Sequence, residues 1–398
     1  MKVIVAGKNR IAIEVTKHLI SNFIPKRELR VLFNSTDNGV DSWQPSFKAF
    51  AEREGLQEIT LQDAQKVRGV LFLSLEYDKL LVPSSFLTEN LVNIHFSNLP
   101  RYKGMYTSIH PILNDETEAG VTLHRIEKGI DTGDIIKLKR FTIDSRSITS
   151  EKLYTLYLEH GTDLVIGNLD RLLNFNYVAY PQDIIGSSYF SRKSIQWNEL
   201  EVPVYSTAYE IDKYVRAFAF RPYQLPKFRG KGIMSSCILT DKSSQSPGSV
   251  TATGQFYVEI ATIDYNIRLC YDITTELLKL AQSDNLKEIE SYYSKGFRLD
   301  GRSKEGWSLA IVAAYNYSLN TFHWLLEQGW NVNDCNFNGT TLLMYVMIAS
   351  QKNDDVDWFS SFLSRNPEVG VSDYRGFDIV HYAKEYGFDK HLEILKDL

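Results

Sequence analysis

The sequence predicts an α/β unit with a mainly parallel sheet, followed by a small β unit and an all-α tail of repeats. Three observations predict this. Through the first third, short apolar runs alternate with helical stretches, the pattern of a parallel sheet covered on both faces. Residues 232–269 then hold three strand-like runs. Beyond them glycines recur at 33 residues, Gly296 with Gly329 and Gly306 with Gly339, a period typical of stacked turn–helix–helix units.

At 398 residues the chain should hold two or three domains. With 43% hydrophobic and 23% charged residues it has the composition of a globular protein, and a net charge of −5 argues against nucleic acid as a partner. The three cysteines, Cys237, Cys270 and Cys335, are scattered, which suggests neither a disulfide framework nor a zinc site and fits a reducing cytoplasm. Lys2 is followed by a short strand and a polar turn rather than a signal peptide, and no run approaches the ~18 apolar residues of a membrane span. A cytoplasmic protein is expected.

Taken in order, residues 2–7 read as a buried strand and 11–19 as the helix after it; 29–33, 46–54, 69–73 and 91–94 continue the alternation. The turn Gly7-Lys8-Asn9-Arg10 lacks G-x-G-x-x-G, which argues against a dinucleotide coenzyme. Lys8 and Asn9 are candidates to meet a substrate phosphate near a helix N-terminus, with solvated loop residues as the alternative. The strand at 91–94 carries Asn93 and His95 toward one face. A second strand, 120–127, leads into Gly129-Ile130-Asp131-Thr132-Gly133. An amide, an imidazole and a carboxylate at strand ends suit acyl transfer to an amine. Asn93 and the His95 imidazole would stabilise the oxyanion, His95 would also take the amine proton, and Asp131 would orient the ring. Considered alone, His95 is more readily a structural histidine. His95, His110, His124 and Asp131 lack a metal-ligand spacing, so no metal is expected.

Asn93-x-His95, Ser97-x-Leu99-Pro100-x-x-x-Gly104 and Asp131-x-Gly133, in that order and spacing, resemble the folate-dependent formyltransferase family. The resemblance implies a Rossmann-like formyltransferase domain, 10-formyltetrahydrofolate as formyl donor and a primary amine as acceptor. It carries Asn93, His95 and Asp131 over as the catalytic set. It also places Leu75, Tyr77 and Asp78 on one side of the pterin, with Glu127, Gly129 and Ile130 on the other. The loop Arg101-Tyr102-Lys103-Gly104-Met105-Tyr106 departs from the methionyl-tRNA branch and looks like the sugar branch. Arg101, Tyr102, Lys103, Met105 and Tyr106 would then contact a sugar nucleotide; Arg101 and Lys103 also read as ordinary surface charges.

Residues 149–173 read as one long amphipathic helix containing His160, a structural histidine. Residues 209–220 form another, running into Arg221-Pro222-Tyr223. In sugar N-formyltransferases the corresponding segment closes over the nucleotide, which makes Arg216, Phe220 and Tyr223 candidates for diphosphate and base contacts. For Phe220 a core position is an equal alternative. Strands at 232–239, 248–252 and 256–269 complete the small β unit. A basic tRNA-contacting domain is missing from this stretch.

In the tail, Gly306-Trp307-Ser308-Leu309-Ala310, Gly339-Thr340-Thr341-Leu342 and Gly376-Phe377-Asp378-Ile379 align with the ankyrin G-x-T-P-L-H-x-A-A pattern. A helix pair at 275–295 caps about three repeats. Aromatic residues, Trp307 among them, exceed what so short a stack needs. Either the rings pack among themselves, or Trp307 marks a second small-ligand site on the ankyrin module. The expected division is 1–185 for the formyltransferase catalytic domain, 186–272 for the small β subdomain and 273–398 for the ankyrin repeats. As a whole the chain looks like the sugar branch acting on dTDP-3-amino-3,6-dideoxy-D-glucose in O-antigen synthesis. A 4-amino dTDP sugar is the alternative acceptor, and a non-catalytic ankyrin adaptor is the alternative from another class. The apolar helices and small β unit are compatible with a homodimer.

Overall fold

The computed structural model describes residues 2–396; the remainder of the expected outer boundaries, Met1 and residues 397–398, lies outside the described residues. In chain order the first unit runs β1 (Val3–Gly7), α1 (Asn9–Asn22), β2 (Leu29–Phe33), α2 (Phe47–Arg53), β3 (Gln57–Glu58), α3 (Leu61–Gln65), β4 (Leu71–Leu75) and β5 (Leu91–His95). It continues with β6 (Lys103–Gly104), α4 (His110–Leu113), β7 (Glu118–Arg125), β8 (Ile135–Thr142), α5 (Ser150–Ile166) and α6 (Leu169–Leu173). Seven strands form one sheet in the order β3-β2-β1-β4-β5-β7-β8. It is parallel from β3 to β5, and β7 and β8 join antiparallel.

β1 and β4 are buried at every position because helices cover both faces. On one face Val3, Val5, Leu73 and Ile94 pack with Ile11 and Val15 of α1 and Leu153 and Tyr157 of α5. On the other, Ile4, Phe72 and Leu91 pack with Ala64 of α3 and with Leu81 and Phe86. Strand order reverses at β1, so a crevice opens at the carboxyl ends of β1 and β4.

The expected single helix over 149–173 is two helices. Gly167 caps α5 and the Asn168 amide donates back to the Leu164 carbonyl (2.7 Å), so the chain breaks before α6. β9 (Tyr189–Phe190) then pairs in parallel with β6, tying the second unit to the loop after β5. α7 (Ala208–Phe218) starts at a capping box of Thr207 and Glu210. After it come β10 (Lys227–Phe228), β11 (Lys231–Lys242), β12 (Val250–Thr253), β13 (Tyr257–Ile260) and β14 (Tyr265–Tyr271), in the order β10-β11-β14-β13-β12. The run at 256–269 is thus a hairpin rather than one strand. Thr262 Oγ1 donates to the Tyr265 carbonyl (2.6 Å), closing a turn inside it.

The tail is all helical, as expected: α8 (Thr274–Gln282), α9 (Leu286–Ser294), α10 (Leu309–Tyr315), α11 (Leu319–Glu327), α12 (Leu342–Lys352), α13 (Val356–Leu363), α14 (Ile379–Glu385) and α15 (Asp389–Leu395). Gly306, Gly339 and Gly376 all have left-handed backbones, and two residues on stand the N-caps Ser308, Thr341 and Asp378 of α10, α12 and α14. The tail shares its core with β14 through Cys270. Arg298 bridges the tail to α5, meeting Glu151 at 3.1 Å and Asp300 at 2.5 Å. Arg221 pairs with Asp272 at 2.7 Å. Between the first unit and the tail lies a cavity of about 480 Å³, lined by Trp43, Tyr154, Phe220, Arg221, Arg302 and Phe337 among others. Among the described residues no helix is long and apolar enough to cross a membrane.

Candidate active site

β5 pairs with β7 so that Asn93 stands opposite His124 and His95 opposite Thr122. That register brings two imidazoles and an amide to one end of the sheet. The loop after β7 returns Asp131 to the same place with a left-handed backbone (φ 52°). It can do so because Gly133 has no side chain: a Cβ there would lie 1.8 Å from the Arg125 carbonyl oxygen. Gln182 clamps the loop from outside, its Nε2 donating to the carbonyls of Asp131 and Gly133, both at 2.8 Å.

Asp131 Oδ2 accepts the Gly104 N–H (2.9 Å) and lies 3.4 Å from His95 Nδ1, while Oδ1 is 3.6 Å from His124 Nε2. Burial by itself would raise this carboxyl. Attraction from the neighbouring His95 ring, together with the Gly104 N–H, outweighs burial and holds it well below the usual carboxylate range. His95 is buried, and its Nε2 lies 2.8 Å from the Tyr102 carbonyl oxygen, a bond that any incoming group at this nitrogen must share or displace. His124 Nδ1 faces the Arg125 carbonyl (2.7 Å), which assigns its proton to Nδ1 and leaves Nε2 to accept from Asn93 Nδ2 at 3.1 Å. One N–H of Asn93 is thereby spent on orientation and the other stays available.

The structure brings Asn93, His95 and Asp131 together and adds His124, whose spacing in the sequence fits no metal site. Its one signal was a position in the strand before Asp131, and that became meaningful only through pairing with Asn93. Among the described residues no group of three or more His, Cys, Asp or Glu side chains is arranged to hold a metal ion.

The remaining candidates divide. Tyr77 packs on the α3 face, and burial, with the Asp78 charge second, pushes its phenol up to about 12. Glu127, Gly129 and Ile130 are exposed on the rim at the end of β7. Asp78 Oδ2 accepts from Ser35 N and Oγ, so this carboxylate holds a neighbouring loop. Leu75 is buried, and its carbonyl accepts the Lys8 N–H at 3.3 Å. Lys8 precedes α1 as its N-cap.

Asn9 does not stand open to a phosphate, because it is 2% exposed and its amide donates to Glu76 and to Tyr154 Oη (2.9 Å). Tyr102 is buried as well: its ring stacks on Phe190 and its hydroxyl donates to Glu116 (2.7 Å), which withdraws it from a substrate role. Arg216 is held by Asp212 (2.8 Å) and by the carbonyls of Ser145 and Ile148, so it secures α7 rather than facing a diphosphate. Arg101 pairs with Glu116 through both carboxylate oxygens, and Lys103 donates to Ser187. Met105 is exposed, whereas the Tyr106 hydroxyl joins Trp197 Nε1 (2.9 Å) to the Arg192 carbonyl.

Phe220 and Tyr223 keep a place at the crevice. Phe220 is buried and Tyr223 half-exposed, and Trp43 meets both edge-on at 5.4 and 4.9 Å. Trp43 belongs to a loop with no motif to announce it. In the tail, Trp307 packs edge-on against Tyr315 and Tyr345, each at 5.1 Å.

Comparison with known proteins supplies the context. The family described as formyl transferase matches residues 30–168. An N-formyltransferase from Helicobacter canadensis, solved with folinic acid and dTDP-3-aminofucose, is 38% identical over 68% of this chain and 100% of its own, with a TM-score of 0.63. WlaRD, a sugar 3N-formyl transferase solved in the presence of dTDP and 5-N-formyl-THF, is also 38% identical over 68% of this chain and 97% of its own, with a TM-score of 0.63. A methionyl-tRNA formyltransferase from Bdellovibrio bacteriovorus is 28% identical over 58% of this chain and 73% of its own.

Proposed function

The chain belongs to the formyltransferase family, as an N-formyltransferase, and we propose that it formylates the amine of a dTDP-linked amino-dideoxy sugar with 10-formyltetrahydrofolate as donor. The acceptor we favour is dTDP-3-amino-3,6-dideoxy-D-glucose, a building block suited to O-antigen. The observation that carries this is the 38% identity to two sugar-branch structures over essentially their whole length, one with dTDP-3-aminofucose and one described as a 3N-formyl transferase.

The donor supplies an electrophilic formyl carbon. The pterin of the donor is read as lying between Tyr77 and the rim at Glu127, Gly129 and Ile130, where backbone N–H and C=O groups suffice for its amide-like edge. The free N–H of Asn93 meets the oxygen that gains charge as the amine adds, and one such donor contributes about 2.7–4 kcal/mol. His95 takes the amine proton, and Asp131, kept ionised, orients the ring and balances the charge it acquires. Lys8, Phe220 and Tyr223 hold the nucleotide end of the acceptor.

The helix pairs from α8 onward are read as a cap and three ankyrin repeats, supported by the left-handed glycines before each N-cap. The division at 185 and 272 follows from the same reading. Trp307 is read as part of the aromatic packing of this module, a reading that its edge-on contacts with Tyr315 and Tyr345 support.

Incubating the purified chain and formyl donor with the 3-amino and 4-amino dTDP sugars tests the proposal. Greater kcat/KM on the 3-amino sugar is expected. Preference for the 4-amino sugar would overturn the position of the amine, and turnover of neither would overturn the substrate class.

A further inference from the structure

Glu76 has no part in the chemistry above, yet the chain bends to deliver it. It is the first residue past β4, and strand alternation would send it to the face of Ser74, Asn93 and His95. Its backbone instead takes φ 59°, a left-handed conformation uncommon for a residue with a Cβ and concentrated at functional sites. The turn sends consecutive residues to opposite sides of the sheet. Tyr77 joins the α3 face, while Glu76 Oε2 reaches α5 and accepts from Tyr154 Oη (2.8 Å) and Asn9 Nδ2. Asn9 is left-handed too (φ 53°), and Gln44 Nε2 donates to Tyr154 Oη at 2.7 Å, so both groups that hold the carboxylate are themselves held.

Two neutral donors therefore fix one oxygen of this carboxylate. Among the described residues it enters no ion pair, and Oε1 accepts no hydrogen bond. Tyr154, which holds the carboxylate, meets Trp43 and Phe220 with ring centroids 6.1 and 5.9 Å away, so Glu76 lies beside the aromatic group assigned to the acceptor's nucleotide end. β4 and β5 are neighbouring parallel strands paired as far as Leu75 and Ile94, so Glu76 follows directly on the strand beside the one that ends in His95.

We propose that Glu76 determines which amino sugar is accepted, Oε1 taking a hydrogen bond from the sugar hydroxyl beside the reacting amine. This rests on the formyl-transfer reading given above. With Asn93 and His95 holding the amine at the end of β5, a group on the adjacent ring carbon falls toward the end of β4. An ionised carboxylate only accepts, so a sugar that lacks a donor there leaves it unpaired, the kind of mismatch that discriminates strongly.

The test compares kcat/KM for the parent dTDP-3-amino sugar and for analogues lacking the hydroxyl on either neighbouring carbon, in wild type, Glu76→Gln and Tyr154→Phe. Wild type should lose about 10- to 100-fold on one analogue, mainly through KM. In Glu76→Gln the amide oxygen stays with Asn9 and Tyr154 and turns an NH2 to the substrate. The parent-to-analogue ratio should then collapse toward one, with KM for the formyl donor unchanged. Tyr154→Phe keeps the charge but removes one of its two holders, and should lower the same ratio partway. An undiminished ratio in Glu76→Gln, or an equal loss on every acceptor in both variants, overturns the role of Glu76. Lack of turnover of the parent sugar by wild type overturns the underlying functional reading instead.

Discussion

The imidazole of His124 holds the amide of Asn93, with Nε2 at 3.1 Å from Nδ2 across the β5–β7 pair. His124 Nδ1 is already committed to the Arg125 carbonyl, so the orientation of Asn93 is set by backbone geometry two steps away. Replacing His124 by Phe keeps the volume and removes this control. The loss in kcat should approach the about 10²–10³ expected for a missing oxyanion donor, with KM for the sugar little changed. Wild-type kcat in steady-state assays would show that Asn93 orients itself.

His95→Asn and Asp131→Ala act on proton transfer rather than on the oxyanion. Each should lower kcat by about 10²–10⁴ while the calorimetric affinity for the dTDP sugar stays near that of wild type. A loss below about fivefold, far short of that range, would reject the assignment of the pair.

Asp131 also predicts an acid dependence of stability. Its folded pKa lies below the unfolded value of about 3.9, so its contribution is fully present above that value and fades as pH falls through and beneath it. The stability gap between wild type and Asp131→Asn, from urea unfolding, should be steady between about pH 5 and 8 and shrink in stronger acid. A gap that grows in acid would contradict the sign.

Arg298 ties the tail to the catalytic unit through the partly buried Glu151, whose own carboxyl is raised by burial despite the guanidinium. Arg298→Met leaves Glu151 uncompensated, at a cost approaching the about 3–5 kcal/mol of a broken buried pair, visible as a lower urea midpoint. Adding Glu151→Gln should recover a large part of it. If the double variant is no better than the single, the ion pair is not what couples the two regions.

Gly133→Ala would place a methyl group where the Arg125 carbonyl now lies. The loop must move, taking Asp131 with it, so activity should fall more than thermal stability. Retention of more than half the wild-type kcat would show that the loop's path is not set by this approach.

Much of the fold was legible because its signals are local. Fully apolar runs such as Leu71–Leu75 marked the parallel sheet, and the glycines at 306, 339 and 376 marked the tail, since a left-handed turn before a helix cap suits few other residues. The break within 149–173 leaves no mark in the sequence because the apolar spacing continues across Gly167, where a side-chain bond from Asn168 ends the helix without changing the pattern.

The chain of amino acids by itself determined the strand-helix order, the repeating tail, and the presence of an amide, an imidazole and an acid at matching strand ends. Those follow from periodicity and from spacings of a few residues. Tertiary structure alone decided that His124 joins them, that Asn9, Tyr102 and Arg216 are turned inward, and that Glu76 faces away from Tyr77. Each depends on which strands pair and which backbone torsion a turn adopts, and these are set by packing between segments far apart in sequence.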